Sequence, residues 1–339
     1  MAPTRVLDVD LPADVFAIVM ATGIVSVAAD DHHYRLIDSV LAVIASAVFV
    51  VLAVGLGLKI VARRDVLIAE SRDPDTALRM FTFVAAACVL GVVWRADRVA
   101  LWILAVLAAI GWLVLMPLAI RDVRSRPHAE LRDHARGAWL LVSVATSGLA
   151  TTAADFGIAG RRSAMVWLAV LLWVLAVVLY VAVTWLIARR ALSAPLRPDA
   201  VTPDSWILMG AMAIVTLAGD HILRAARAFA PLHPLAIVAA PVTFAAWVVA
   251  SLWIPFLLYA AIWRIDQHSG SLRFAGAWWS AVFPLGMYAS ATAATGTDLG
   301  IPSLETVSLV MFWIALVVWL IVAVGLLRKG LARIRAPHV

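Results

Sequence analysis

Ten apolar runs, each about 18 to 28 residues long, divide the chain almost end to end. At 1.5 Å of rise per residue, such a run crosses a hydrocarbon layer about 30 Å thick. They cover residues 12–29, 37–61, 77–94, 99–120, 137–157, 164–188, 203–223, 235–262, 275–296 and 304–327. Lipid offers no hydrogen bonds to a bare backbone, so these runs must be helices. The expected fold is an all-α integral membrane protein. It is a single transmembrane domain over residues 1–339, with tails at 1–11 and 329–339.

Composition agrees. Hydrophobic residues make up 64% and charged residues 14% of the 339, against about half and a quarter in soluble domains. A disordered chain, a disulfide scaffold and an ordinary soluble enzyme are excluded. The net charge of +6 reflects bases placed between apolar runs, so it speaks for membrane topology and not for nucleic acid. Cys88 lies inside an apolar run and has no second cysteine to pair with. It reads as a small core residue.

The connections alternate. Those after odd runs are short, as at Asp97-Arg98, which makes consecutive runs antiparallel neighbours. Those after runs two, four and six are longer and charged. Five helical hairpins in series are expected. The N-terminus, the links after even runs and the C-terminus hold about 20 of the 27 Lys and Arg, which places both termini in the cytoplasm.

Odd and even runs differ in kind. Gly, Ala, Ser and Thr account for about 48 of about 100 residues in the odd runs and about 35 of about 124 in the even runs. Ten of the 15 tryptophans fall on or beside even runs, where indoles suit the lipid face and its interfaces. Odd runs are therefore expected inside and even runs outside. The inner layer either encloses a narrow pore or packs as a solid core.

Several residues are candidates for function. The fifth run carries Ser143, Thr146, Ser147, Thr151 and Thr152, whose hydroxyls suit contact with an ion or with their own i−4 carbonyls. Thr22, Gly23 and Ser26 on the first run are similar. On the ninth, Gly286, Ser290 and Ala294 share a face, and Pro284 breaks the hydrogen-bond ladder beside Phe283. Asp155, Asp220 and His221 lie near span ends and are candidates for proton coupling. Arg95, Arg98, Arg161 and Arg162 are placed to draw anions to the outer mouth. There is no Walker loop, no HExxH, no CxxC and no nucleophile elbow. No catalytic residue, metal site or cofactor is expected, and no acid or histidine cluster marks a lipid-modifying enzyme.

Four segments carry a resemblance. LPADVFAIVMATGIVS (11–26), FTFVAAACVLG (81–91), PDSWILMGAMAI (203–214) and AWWSAVFPLGMYASAT (277–292) resemble the first, third, seventh and ninth helices of the tellurite-resistance/dicarboxylate transporter family. That family includes the plant guard-cell slow-type anion channel and fungal malate and sulfite transporters. The resemblance implies ten helices in five hairpins, odd helices around a pore, and a homotrimer with one pore per protomer in the cell membrane. It implies a phenylalanine gate at Phe283. It also implies proline kinks along the inner helices. Pro284 supplies one, and the others would fall to Gly23, Gly91, Gly148 and Gly210. Thr22, Gly23, Ser26, Ala86, Gly91, Thr146, Ser147, Thr151, Gly210, Thr216, Gly286 and Ser290 are the expected lining. The expected function is an anion channel or uniporter for a small inorganic or organic anion. The alternative is a proton-coupled carrier of dicarboxylate, sulfite or a related anion.

Overall fold

The computed structural model describes residues 11–193, 201–267 and 276–335; parts of both tails, 1–10 and 336–339, lie outside it. Every regular element among the described residues is helical. Eight segments are long and apolar enough to cross a membrane.

Ten long helices form two layers. The inner layer is α1 (Ala17–Asp31), α5 (Phe81–Val93), α8 (Leu141–Gly160), α10 (Ile207–Ala228) and α12 (Trp279–Leu299). It is a closed ring: α1 packs on α5, α5 on α8, α8 on α10, α10 on α12, and α12 returns to α1. The outer layer is α2 (Arg35–Ala62), α6 (Arg98–Arg124), α9 (Ser163–Ser193), α11 (His233–Gln267) and α13 (Pro302–Arg335). Each outer helix packs on the inner helix before it and also on the next one around the ring, α13 closing the circle on α1. Short helices α3 (Arg64–Glu70), α4 (Pro74–Arg79) and α7 (His128–His134) lie in the longer links. Helix α13 continues through 329–335, which the sequence reading placed in a tail.

The layers differ in exposure as their compositions require. The most apolar window of segment Gly137–Gly160 is wholly buried, and that of Pro203–Ala228 is 94% buried; in α2, α6, α11 and α13 the figure is 22%. Lipid-facing surface is the physical reason, since Val, Leu and Ile gain nothing there by turning inward.

Small residues set the ring spacing. A Cβ on Gly23 of α1 would stand 2.8 Å from Val89 of α5, and one on Gly148 of α8 would stand 2.7 Å from Cys88 of α5. Gly210 of α10 meets Pro284 of α12, and Gly286 of α12 meets Ile24 of α1, each at 2.9 Å by the same measure. Four of the five ring contacts are thus closed by a glycine. Helices α1, α5, α8 and α10 continue through Gly23, Gly91, Gly148 and Gly210, the positions expected to supply kinks, as α12 continues through Pro284. Interruptions fall instead at the N-terminal ends. Turns precede α1, α4 breaks from α5 at Met80, and 3-10 turns at Gly137–Leu140, Pro203–Trp206 and Gly276–Trp278 open α8, α10 and α12. Each ring helix is entered through a tight turn that lets the chain bend in from the outer layer.

The tryptophan expectation needs division. Trp102, Trp167 and Trp185 face outward as expected. Four others turn inward and fasten the layers. Trp112 of α6 donates its Nε1–H to Thr146 of α8 at 2.9 Å, Trp247 of α11 to Thr292 of α12 at 3.0 Å, and Trp319 of α13 to Thr22 of α1 at 3.0 Å. Trp173 of α9 donates to the Val215 carbonyl of α10 at 2.8 Å. An indole N–H finds no acceptor in hydrocarbon, so a buried threonine hydroxyl is its best partner. Between α2 and α5 the joint is aromatic, with Phe49 stacked on Phe83 at 5.9 Å.

Two substitutions test these joints. Gly210→Ala presses a methyl onto the Pro284 ring and backbone, and should lower stability by about 1–3 kcal/mol in thermal unfolding of the purified protein in detergent. Thr146→Val keeps the shape but strands the Trp112 N–H, with an expected loss of about 1–2 kcal/mol. Unchanged unfolding temperatures would show that neither contact bears on the assembly.

Candidate functional site

The ring surrounds one cavity to which all five inner helices contribute. Ile24 and Val27 of α1, Cys88, Val89 and Val92 of α5, Gly148 and Thr151 of α8, Ile214 and Leu217 of α10, and Met287 of α12 line it. Its free volume is about 10 Å³, room for about one water. Phe283 lies one turn before Met287 on the same face of α12 and is 2% exposed.

The expected lining residues distribute differently. Thr151 borders the cavity, its hydroxyl donating to the Ser147 carbonyl at 3.1 Å. Thr22 and Thr146 turn to the outer-layer tryptophans while donating to their own i−4 carbonyls. Ser26 donates to Asp38 of α2 at 2.6 Å, and Thr216 to the Met212 carbonyl at 2.9 Å. Gly23, Gly210 and Gly286 sit in the ring contacts, and Gly91 faces Leu101 of α6. Ala86, Ser147 and Ser290 are buried in their helices. The Ser147 hydroxyl has no hydrogen-bond partner among the described residues. The cavity walls are therefore mainly aliphatic. Sequence reasoning missed Ile24, Val27, Val89, Val92, Ile214, Leu217 and Met287, because an aliphatic side chain in an apolar helix carries no local signal of which way it faces.

Charges gather at the two mouths of the ring. At the end where the inner helices terminate, Asp155 of α8 and His221 of α10 meet at 2.6 Å, both largely buried. This contact joins α8 to α10 at the end opposite Gly137, on which a Cβ would meet the Asp204 backbone. The other Asp155 oxygen, Oδ2, is buried and unpartnered among the described residues. Asp220 pairs instead with Arg224 at 2.5 Å. Arg95 pairs with Asp30 at 2.8 Å and Arg227 with Asp298 at 2.7 Å. Burial pushes the His32 imidazole below its ordinary value, so it adds no positive charge there at neutral pH. Of the four arginines expected at the outer mouth, Arg95 is paired with an aspartate, while Arg98, Arg161 and Arg162 are exposed and make no ion pair among the described residues.

At the opposite end, Arg79 donates to Asp14 at 3.0 Å and to Asp75 at 3.1 Å. Trp139 donates to Asp75 at 3.2 Å, and Asp204 accepts the Ala138 amide at 3.1 Å. This network ties together the turns through which the chain enters α1, α5, α8 and α10. The inner helices also present their N-termini here, a field that favours anions and is offset in part by these aspartates. Among the described residues no group of His, Cys, Asp and Glu forms a metal site.

A helical membrane protein with a charged mouth at each end of an apolar ring belongs to the class that moves solutes across a bilayer. The chain matches the voltage-dependent anion channel family over residues 10–327, and it belongs to that family, which is the tellurite-resistance/dicarboxylate transporter family. It is also similar to an uncharacterized membrane protein of Mycobacterium tuberculosis, in strains CDC 1551 and H37Rv. Each is 40% identical over 160 residues, covering 46% of this chain and 79% of the relative.

The Asp155–His221 contact has a stability consequence. His221→Leu leaves a buried carboxylate with neither oxygen paired and should cost about 3–5 kcal/mol. The double variant Asp155→Leu/His221→Leu removes both polar groups and should recover much of that loss. Equal unfolding temperatures for the single and double variants would show that the pair is not coupled.

Proposed function

We propose that the chain is an anion channel or uniporter whose path runs through the five-helix ring and is closed at Phe283. All ten long helices then span the cell membrane as five hairpins, with both termini cytoplasmic, and α1 and α12 cross within the shelter of their neighbours. The protomers assemble as a homotrimer with one path each. The substrate is a small inorganic or organic anion, and no nucleic acid or cofactor takes part. The observation that carries this reading is the cavity shared by all five inner helices of a family that transports anions.

The geometry supports a shut state. An opening that holds about one water, walled by aliphatic groups, is closed to a hydrated ion. Conduction needs the ring to widen or a plug to leave. Met287 is the α12 side chain that borders the cavity, and Phe283, also large and fully buried, lies one turn before it on the same face. Truncating Phe283 removes the plug without touching the charged mouths. No fixed cation lines the cavity, so an ion crossing it is held weakly and leaves as readily as it enters.

The chain's single cysteine makes the test direct, because Cys88 borders the cavity. Phe283→Ala should raise anion current across a planar bilayer by about tenfold, equivalent to about 1.4 kcal/mol off the barrier. It should also speed modification of Cys88 by a small charged thiol reagent. Conductance and labelling rates equal to the wild type would reject Phe283 as the gate.

A second reading is favoured by the Asp155–His221 contact: a proton-coupled carrier of a dicarboxylate, sulfite or a related anion. Histidine is the side chain best suited to proton transfer near neutral pH, and here it meets a carboxylate in a ring joint. In proteoliposomes this reading expects proton uptake to follow anion flux and to fall in Asp155→Asn and His221→Ala. Flux without proton movement leaves the uniport reading.

A further inference from the structure

A large cleft lies apart from the ring. It opens between α9 and α11 with a volume of about 700 Å³. Thr184, Ile187 and Ala191 form one wall; Leu252, Phe256 and Trp263 form the other. Its floor is Ser205 and Leu208, where the chain enters inner helix α10. A hydrogen bond crosses the cleft near its inner end, Trp253 Nε1–H to the Tyr180 hydroxyl at 2.7 Å. The cleft lining on α11 runs from Val249 to Trp263, roughly 21 Å of helix against a hydrocarbon core about 30 Å thick. The cleft is therefore at least one leaflet deep.

The open end carries charge. Arg189 follows Ala188 on α9, and Arg264 follows Trp263 on α11. Among the described residues neither makes an ion pair, whereas Arg190 donates to the Ala135 carbonyl at 2.9 Å. Asp266, also at the end of α11, accepts from Gln267. Trp263 and Tyr259 supply the aromatic groups common at the interface. Apolar walls at least one leaflet deep beneath two unpaired guanidinium groups match an acyl chain and an anionic headgroup in their natural order.

We propose that this cleft is a binding site for one anionic phospholipid of the leaflet next to Arg189 and Arg264, with an acyl chain between α9 and α11 and the phosphate at the two arginines. The chain then lies against Leu208 on inner helix α10, between the two outer helices that pack on it. The site does not depend on which solute the ring passes.

Native mass spectrometry of the purified protein tests it, with dioleoyl phosphatidylglycerol and dioleoyl phosphatidylcholine supplied in equal amounts. Each arginine near an anionic surface contributes about fivefold, so the wild type should prefer phosphatidylglycerol by about 25-fold. Arg189→Gln/Arg264→Gln should abolish the preference, and Arg124→Gln/Arg328→Gln should keep it. A phosphatidylglycerol with a diazirine on its acyl chain should label the wild type within 184–192 or 249–263. Equal retention of both lipids, a preference that survives in the Arg189→Gln/Arg264→Gln variant, or labelling only elsewhere would overturn the proposal. So would disulfide crosslinking of Leu252→Cys to a second copy without bound lipid, which would make the cleft a subunit contact.

Discussion

The molecule depends on how closely five helix backbones approach one another. In lipid there is no hydrophobic gain from pressing helices together, so association rests on dispersion and hydrogen bonds at short range. Glycine makes that range available. At Gly23, Gly148, Gly210 and Gly286 a side chain of the neighbouring helix occupies the space a Cβ would take. The fifth joint, α8 on α10, holds a buried hydrogen bond between Asp155 and His221. A wider ring would hold water, and a tighter one would have no cavity. The same contacts therefore fix both the stability of the ring and its bore.

The outer layer is fastened in rotation. Each outer helix reaches the next inner helix around the ring as well as the one before it, so no outer helix is held by a single inner partner. Thr22, Thr146 and Thr292 each accept an indole N–H while donating to their own helix backbone. One hydroxyl thus satisfies two needs at a depth where water is absent. Four tryptophans become cross-layer fasteners, while Trp102, Trp167 and Trp185 stay on the outer face among aliphatic chains. The exposed aliphatic surface of α2, α6, α9, α11 and α13 has no cost in that setting.

Much of the architecture was legible in the sequence. The small-residue bias of the odd runs and the branched aliphatic bias of the even runs separate the inner from the outer layer, because lipid and helix contacts reward different side-chain sizes. The site was less legible. Hydroxyl-bearing residues such as Thr22, Thr146 and Ser26 drew attention as ion contacts, yet a hydroxyl in a membrane helix serves its own backbone or a neighbouring indole equally well. Whether Ile24 or Val89 faces a lumen or a neighbour is set by helix rotation within the ring, which composition does not encode. Arg95 likewise reads as a free base until Asp30 appears beside it, 65 positions away.

Separating charge from bore has a mechanical logic. The charged groups stand at the ends of the ring, where water reaches them, and three pairs cross helix boundaries: Asp30 with Arg95 joins α1 to the end of α5, Asp155 with His221 joins α8 to α10, and Arg227 with Asp298 joins α10 to α12. These pairs resist twisting of one inner helix against the next. The middle of the ring holds only dispersion contacts, which change gradually with distance and have no preferred partner. On the channel reading proposed above, a ring pinned at its mouths and soft at its waist would open by local displacement of side chains, not by rupture of ion pairs, and a bulky group beside the waist would be the element most sensitive to a small movement of α12.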